Sequence, residues 1–367
     1  MFDQLIQFAL KNNASDIVMK SGLPPALRIY GDLRMVDSEP LTDQDIVKFL
    51  LTILPEEKLR QFRETMELDA SVSLEGEARL RVNVLQQRKR ISAVLRLIQW
   101  NVPTLNELHL PNIVRDLAMR DRGLVLVTGP AGCGKTSTVA SMMNYRAEQD
   151  SCHIISIEDP IEFLVPSRKA LVDQRELGRD THSFSAALRH ALRQDPDMIV
   201  VGEMRDLETI QMAITAAETG HLVLSTLHTV DSVRTIDRII DVFPTFQQRQ
   251  VRLQLSANIL AVVSQTLLKS ARGDGLILAC EIMVATPAIQ NLIRESKTYM
   301  ISSILQTRGA ESMQTINRAL ADLVQKKLVT FEDAAAKSPD SDDLEKLLGR
   351  RGSIMDSISN QPSGRKA

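Results

Sequence analysis

The chain has 367 residues, 44 of them basic and 46 acidic, for a formal net charge of −2. That length suits about two domains, and the balance excludes a bulk field that would draw in nucleic acid or anionic lipid. At 44% hydrophobic and 25% charged it reads as an ordinary soluble globular protein, and its three cysteines, Cys133, Cys152 and Cys280, are too widely spaced for a zinc site and odd in number for a disulfide framework.

The amino-terminal stretch MFDQLIQFALKNNASD has an acid at position 3 and no basic n-region, so it is expected to be an amphipathic helix, not a secretory signal. Leu5, Ile6, Phe8 and Ala9 fall on or near one face of that helix. No run approaches the roughly 20 apolar residues of a membrane span. DIVMKSGLPPALRIYGDLRMV reads as two short strands around a Pro-Pro turn, with Gly31-Asp32 turning into a third. Thr42 can cap a helix running to Leu54, and Pro55-Glu56-Glu57 can start another reaching Phe62 or Glu64. LDASVSLEGEARLRVNVLQQRKRISAVLRLI then alternates over two or three antiparallel strands. Residues 1–98 are therefore expected to form a small α+β domain, followed by a linker at 99–111.

The pattern changes after Arg122. GLVLVTG, HIISIED, DMIVVGE and HLVLSTLH are aliphatic runs without alternation, the mark of strands buried on both faces. Helical stretches separate them: SFSAALRHALRQ puts Phe184, Ala187, Leu188, Ala191 and Leu192 on one stripe, and LETIQMAITAAETG stops at Gly220. Strand alternating with helix implies a parallel sheet with right-handed crossovers, an α/β class. Beyond Asp241 the chain reads as mostly helical to residue 337, and 338–367 as one short helix and a disordered tail. There is no internal repeat.

Gly129-Pro130-Ala131-Gly132-Cys133-Gly134-Lys135-Thr136-Ser137 is a complete Walker A sequence, after a buried strand and before a helix. Glycines let backbone N–H groups converge on phosphates, and the helix start adds positive potential. Lys135 supplies charge for the β and γ phosphates of ATP, and the Thr136 hydroxyl is placed to ligate Mg²⁺. Cys133 is read as a small residue tolerated inside the loop, not as a redox switch. Ligands in such sheets sit at the carboxyl ends of the strands, where this chain has polar residues. Glu158 and Asp159 end one run, with Glu162 three residues on; Glu203 follows four apolar residues and a glycine, where a Walker B acid belongs; His221 and His228 bracket a fourth run. Carboxylates there can hold Mg²⁺ and orient a water. Glu203 is otherwise a helix N-terminal acid and His228 a structural histidine, and both readings stand at this level.

Taken together, GPAGCGKTS, IEDPIEF, DPDMIVVGEMRDLETI, AAETGHLVLSTLHT and TIDRIIDVFP resemble the secretion ATPases of type II and type IV pilus systems. Within that group the chain is most similar to the retraction ATPases of twitching motility. The resemblance covers nearly the whole chain, from ASDIVMKSGLPPALRIYGDLR through ARLRVNVLQQR to TPAIQNLIRE. It implies a PAS-like first domain, a RecA-like ATPase domain and a homo-hexamer on the cytoplasmic side of the inner membrane. The implied partners are an inner-membrane pilus platform protein and a paralogous retraction ATPase, with no nucleic acid. Glu162 would help activate water from the Asp box, Glu203 would be the Walker B glutamate, and His221 and His228 the His box. Asp159 and Glu203 would stand near Mg²⁺ with Thr136. Arg81 and Arg96 would reach the nucleotide of a neighbouring subunit, though each can equally be an exposed strand residue. The chain departs from the family's pattern at Gln290, where an arginine is usual, which keeps an accessory retraction ATPase as the alternative. An assembly or secretion ATPase is less favoured, because the four-cysteine zinc element and extra amino-terminal domain usual there are missing from this sequence.

Overall fold

A computed structural model describes residues 2–74, 78–99, 102–273, 275–307 and 313–349. It is a mixed α/β structure with two sheets, divided by its contacts into two units. The first runs through Val102 and takes in Glu162–Leu164; the second holds the rest from Pro103.

The first unit is built from α1 (Phe2–Lys11), β1 (Ala14–Lys20), β2 (Ala26–Ile29), β3 (Asp32–Met35), α2 (Asp43–Ile53), α3 (Glu56–Thr65), β4 (Glu67–Leu74), β5 (Ala78–Gln87) and β6 (Arg90–Gln99). Its six strands are all antiparallel, in the order β3-β2-β1-β6-β5-β4. Alternation decides the face: Leu80, Val82 and Val84 of β5 and Ala93, Leu95 and Leu97 of β6 join a core with Ile6, Phe49, Leu50, Leu59 and Phe62 of the three helices. Thr42 starts α2 through a reciprocal cap: its hydroxyl accepts from the Asp45 N–H at 3.2 Å, and the Asp45 carboxylate accepts from the Thr42 N–H at 2.9 Å. On the other face, register sets Arg81 of β5 opposite Arg96 of β6, and Arg96 opposite Asp16 of β1.

The second unit runs α4 (Ile113–Ala118), β7 (Gly123–Thr128), α5 (Lys135–Gln149), β8 (His153–Glu158), β9 (Leu171–Glu176), α6 (Phe184–Ala191), β10 (Met198–Val201), α7 (Leu207–Glu218), β11 (Leu222–Leu227), α8 (Ser232–Asp241), α9 (Thr245–Asn258), β12 (Ile259–Lys269) and β13 (Leu276–Val284). Short helices α10 (Pro287–Arg294), α11 (Ile301–Gln306), α12 (Ile316–Gln325), α13 (Phe331–Lys337) and α14 (Ser341–Leu347) follow. The sheet order is β13-β12-β7-β11-β10-β8-β9, parallel except for β13. Every residue of β7, β10 and β11 is buried, as their uninterrupted aliphatic runs require.

The stretch beyond Asp241 is mostly helical, as expected, but it also supplies β12 and β13, which the sequence reading did not foresee and which complete the sheet beside β7. The apolar run of β12 has no period that separates a buried strand from a buried helix. β9 went unread because it is an edge strand with alternating polar exposure. In the carboxyl-terminal stretch α14 buries Leu344 against Leu268, Ala279 and Leu320, while the expected disordered tail at 350–367 lies outside the described residues.

Candidate active site

The glycine loop leaves the end of β7 and closes on the first turn of α5. Gly129 has φ 140°, and a Cβ there would lie 2.3 Å from the Gln265 carbonyl oxygen and 2.6 Å from Cys133 Sγ. No side chain fits that approach of loop to β12. Gly134 holds the helix start at φ 88°, a left-handed geometry, which leaves the first N–H groups of α5 without intrahelical partners. Cys133 is 3% exposed, and burial raises its thiol pKa against the smaller pull of Lys135, so it is an inert packing residue.

Lys135 is itself buried, its ammonium donating to the carbonyls of Gly129 at 2.8 Å and Pro130 at 3.0 Å. Its Nζ also lies 3.4 Å from His228 Nδ1. An ammonium can only donate, so Nδ1 is the acceptor in this contact and Nε2 is the ring nitrogen that faces the next group. That nitrogen is 3.2 Å from Glu203 Oε1. The other oxygen of Glu203 accepts from Arg205 Nε at 2.8 Å, and Arg205 Nη1 lies 3.6 Å from Asp159 Oδ2. One polar line thus runs Lys135–His228–Glu203–Arg205–Asp159 along the carboxyl ends of the parallel strands. The peptide carrying Glu203 is pinned from both sides: Gly202 donates to the Ile157 carbonyl at 2.8 Å, Thr226 Oγ1 to the Gly202 carbonyl at 2.6 Å, and Met204 N to the Thr226 carbonyl at 3.2 Å.

The other sequence candidates fall elsewhere. Thr136 is half-buried in the first turn of α5, and its hydroxyl has no hydrogen-bond partner among the described residues. Glu158 is occupied by Ser156 Oγ at 2.7 Å and Gln174 Nε2 at 3.0 Å, a packing role. Glu162 is grouped with the first unit and makes no hydrogen bond or ion pair with a described residue. His221 precedes β11 and so sits at its amino end, a six-residue strand away from His228. There its Nδ1 binds the Ala216 carbonyl at 2.9 Å, closing off α7. The two histidines that bracket the run therefore stand at opposite ends of β11. Arg81 and Arg96 belong to the first unit, where Arg96 Nε donates to Asp16 Oδ1 at 3.0 Å. Arg205 was missed; the signal was an arginine two residues past the acid, close enough along an extended link to turn back on it.

A glycine loop that leaves a buried parallel strand and runs into a helix whose first residue is a buried lysine is the phosphate-holding apparatus of the P-loop proteins. Within that class the chain belongs to the type II/IV secretion system protein family, which it matches over residues 1–311. It is 47% identical over 335 residues to the type IV pilus retraction ATPase PilT of Pseudomonas aeruginosa, covering 91% of this chain and 97% of that protein. It is 38% identical over 355 residues to the type IV pilus ATPase PilU of the same organism, covering 97% and 93%. A crystal structure of the pilus retraction motor PilT with bound ADP superposes with a TM-score of 0.84 at 45% identity, covering 94% of this chain and 98% of that one.

Proposed function

We propose that this chain is an ATP-hydrolysing motor that powers type IV pilus retraction. The single observation that carries the reading is the Lys135–His228–Glu203 line, which ties the phosphate loop to a carboxylate on the next strand but one. The likeness to PilT supports it. In this account residues 1–98 are a PAS-like domain, 99–111 a linker and 112–337 a RecA-like ATPase domain, assembled as a homo-hexamer. The ring works at the cytoplasmic face of the inner membrane on a pilus platform protein, with a paralogous retraction ATPase as a further partner. Among the described residues no helix is long and apolar enough to cross a membrane.

The loop N–H groups and α5 bind the triphosphate, and Lys135 balances the charge that builds on the β and γ oxygens. Glu203 is oriented by His228 and Arg205, so that its carboxylate positions the attacking water and takes its proton. Glu162 helps activate that water, and Arg81 and Arg96 meet the nucleotide of a neighbouring subunit. Among the described residues no group of three His, Cys, Asp or Glu side chains could hold a metal alone. The open hydroxyl of Thr136 with the carboxylates of Glu203 and Asp159 is instead an oxygen set that suits Mg²⁺ sharing phosphates and waters. When bound, that ion neutralises phosphate charge.

Phosphate release by the purified chain, beside Lys135→Ala and Glu203→Gln, tests the chemistry; turnover unchanged in either variant sinks it. Deleting the gene and imaging the pili tests the role: abundant filaments that do not retract support it, and absent filaments favour assembly instead. The accessory alternative draws on Gln290, in the middle of α10, and on the match to PilU. A deletion strain that still retracts its pili, but under less load, would select it.

A further inference from the structure

We infer that Glu281 is a positioning residue for the turnover proposed above, holding the segment that carries His228 in register with the phosphate loop; the inference rests on that reading of the site. Glu281 lies on β13, and its Oε1 accepts two hydrogen bonds from Ser232, the first residue of α8: from the backbone N–H at 3.0 Å and from Oγ at 2.6 Å. Ser232 is fully buried.

The sheet register shows what that contact anchors. Leu227 pairs with Thr128, Thr128 with Ser264, and Ser264 with Glu281, one row across β11, β7, β12 and β13. Thr128, the residue before Gly129, and Ser264 share a buried hydroxyl bond of 2.8 Å. The row therefore begins one residue before His228, passes beneath the start of the phosphate loop and ends on the carboxylate that holds Ser232. The segment 228–231 returns over the same ground. Asp231, the last residue of that segment, is extended at φ −148°, ψ 169°. The segment is also bonded to α8, Thr229 Oγ1 to Thr235 Oγ1 at 2.7 Å and Arg234 N to Asp231 Oδ1 at 2.7 Å, and at its other end His228 meets Lys135 and Glu203. Glu281 thus fixes the end of the segment where it enters α8, while Lys135 and Glu203 meet its histidine end.

A half-buried carboxylate facing two neutral donors, with no ion-pair partner among the described residues, is costly unless those bonds are strong. Burial raises the Glu281 pKa, with the Ser232 bonds pulling the other way. Ionised, it makes charge-assisted bonds and faces the positive end of α8. Glutamine would keep the acceptor; alanine would release the segment.

The full-length chain with Glu281→Ala, Glu281→Gln or Ser232→Ala is assayed for kcat, for KM of ATP, for affinity toward a fluorescent ADP analogue, and for thermal melting. Glu281→Ala is expected to lose about 30-fold in kcat, as a misplaced catalytic group does, with nucleotide affinity within about twofold and a folded oligomer at assay temperature. Glu281→Gln restores most of kcat. Ser232→Ala, which leaves the carboxylate its backbone partner, loses about fivefold and carries the test if Glu281→Ala does not fold. Wild-type kcat in Glu281→Ala or Ser232→Ala overturns the inference. So does an equal loss in Glu281→Gln, or a kcat and affinity that fall together in proportion to unfolding. A wild-type chain that hydrolyses no triphosphate overturns the function itself, a result distinct from any of these.

Discussion

Replacing Gly129 with alanine puts the geometry of the phosphate loop to a direct measurement. The added methyl carbon would lie 2.3 Å from the Gln265 carbonyl oxygen, where roughly 3.5 Å is needed, so loop and β12 must part by about 1 Å. Rotating away does not relieve this, because φ 140° is closed to an L-residue. Strain of that kind costs about 1–3 kcal/mol. For a unit of this size that is a fall in Tm of roughly 2–4 °C per kcal/mol. The larger effect is on rate. Lys135 is tied to the Gly129 carbonyl at 2.8 Å, so its ammonium moves with the loop, and a displacement of about 1 Å in a catalytic array can cost about 100-fold. Steady-state phosphate release against ATP concentration measures kcat/KM, and differential scanning fluorimetry measures the melting shift. A Gly129→Ala protein within about threefold of wild-type kcat/KM would show that the contact with β12 does not set the position of the loop.

Arg205→Ala should leave Tm nearly unchanged, since exposed ion pairs contribute at most about 1 kcal/mol, yet lower kcat about tenfold by freeing one oxygen of Glu203. Arg205→Lys, unable to bridge two carboxylates in a fork, should recover only part of it, and full activity in Arg205→Ala would remove the arginine from the site. His153 places Nδ1 3.0 Å from the Gln194 carbonyl and Nε2 3.0 Å from Asp173. Burial disfavours the charged ring, but these bonds outweigh it and raise the pKa. The sign is that of a raised histidine: its stabilisation is complete below the unfolded value of about 6.5 and is lost as pH rises through the folded one. Asp173→Asn should therefore lower Tm at about pH 5.5 more than at about pH 9, and an equal drop at both would refute the pairing. His221→Ala should cost roughly 1 kcal/mol through its lost bond to Ala216 and leave kcat intact; a large fall in turnover with a preserved Tm would return His221 to the reaction.

The parts legible in the sequence are those where one physical rule dominates. β7, β8, β10 and β11 announce themselves because strands buried on both faces read as near-continuous aliphatic runs, and Thr42 with Asp45 spells out its own cap. The phosphate loop is legible because few residue types tolerate its backbone. What stayed hidden depends on partners distant in the chain. β12 is assigned by its pairing with β7, some 135 residues upstream, as the bond from Ser264 to Thr128 shows. Glu158 and Asp159 are neighbours in sequence, yet Ser156 and Gln174 claim the first while the second faces Arg205. The two bracketing histidines stand at opposite ends of β11, and chain order alone puts His228, not His221, at the carboxyl end.

The row of side chains across the first sheet has an energetic consequence. Arg81 and Arg96 stand directly opposite one another, an arrangement of like charges that weakens a sheet. Asp16 compensates Arg96 at 3.0 Å, whereas Arg81 is exposed and has no ion-pair partner among the described residues. The first unit consequently carries a like-charge pair of which one member is compensated and the other is not. Dissolved salt can mute that repulsion, and an arriving negative charge would turn it into attraction.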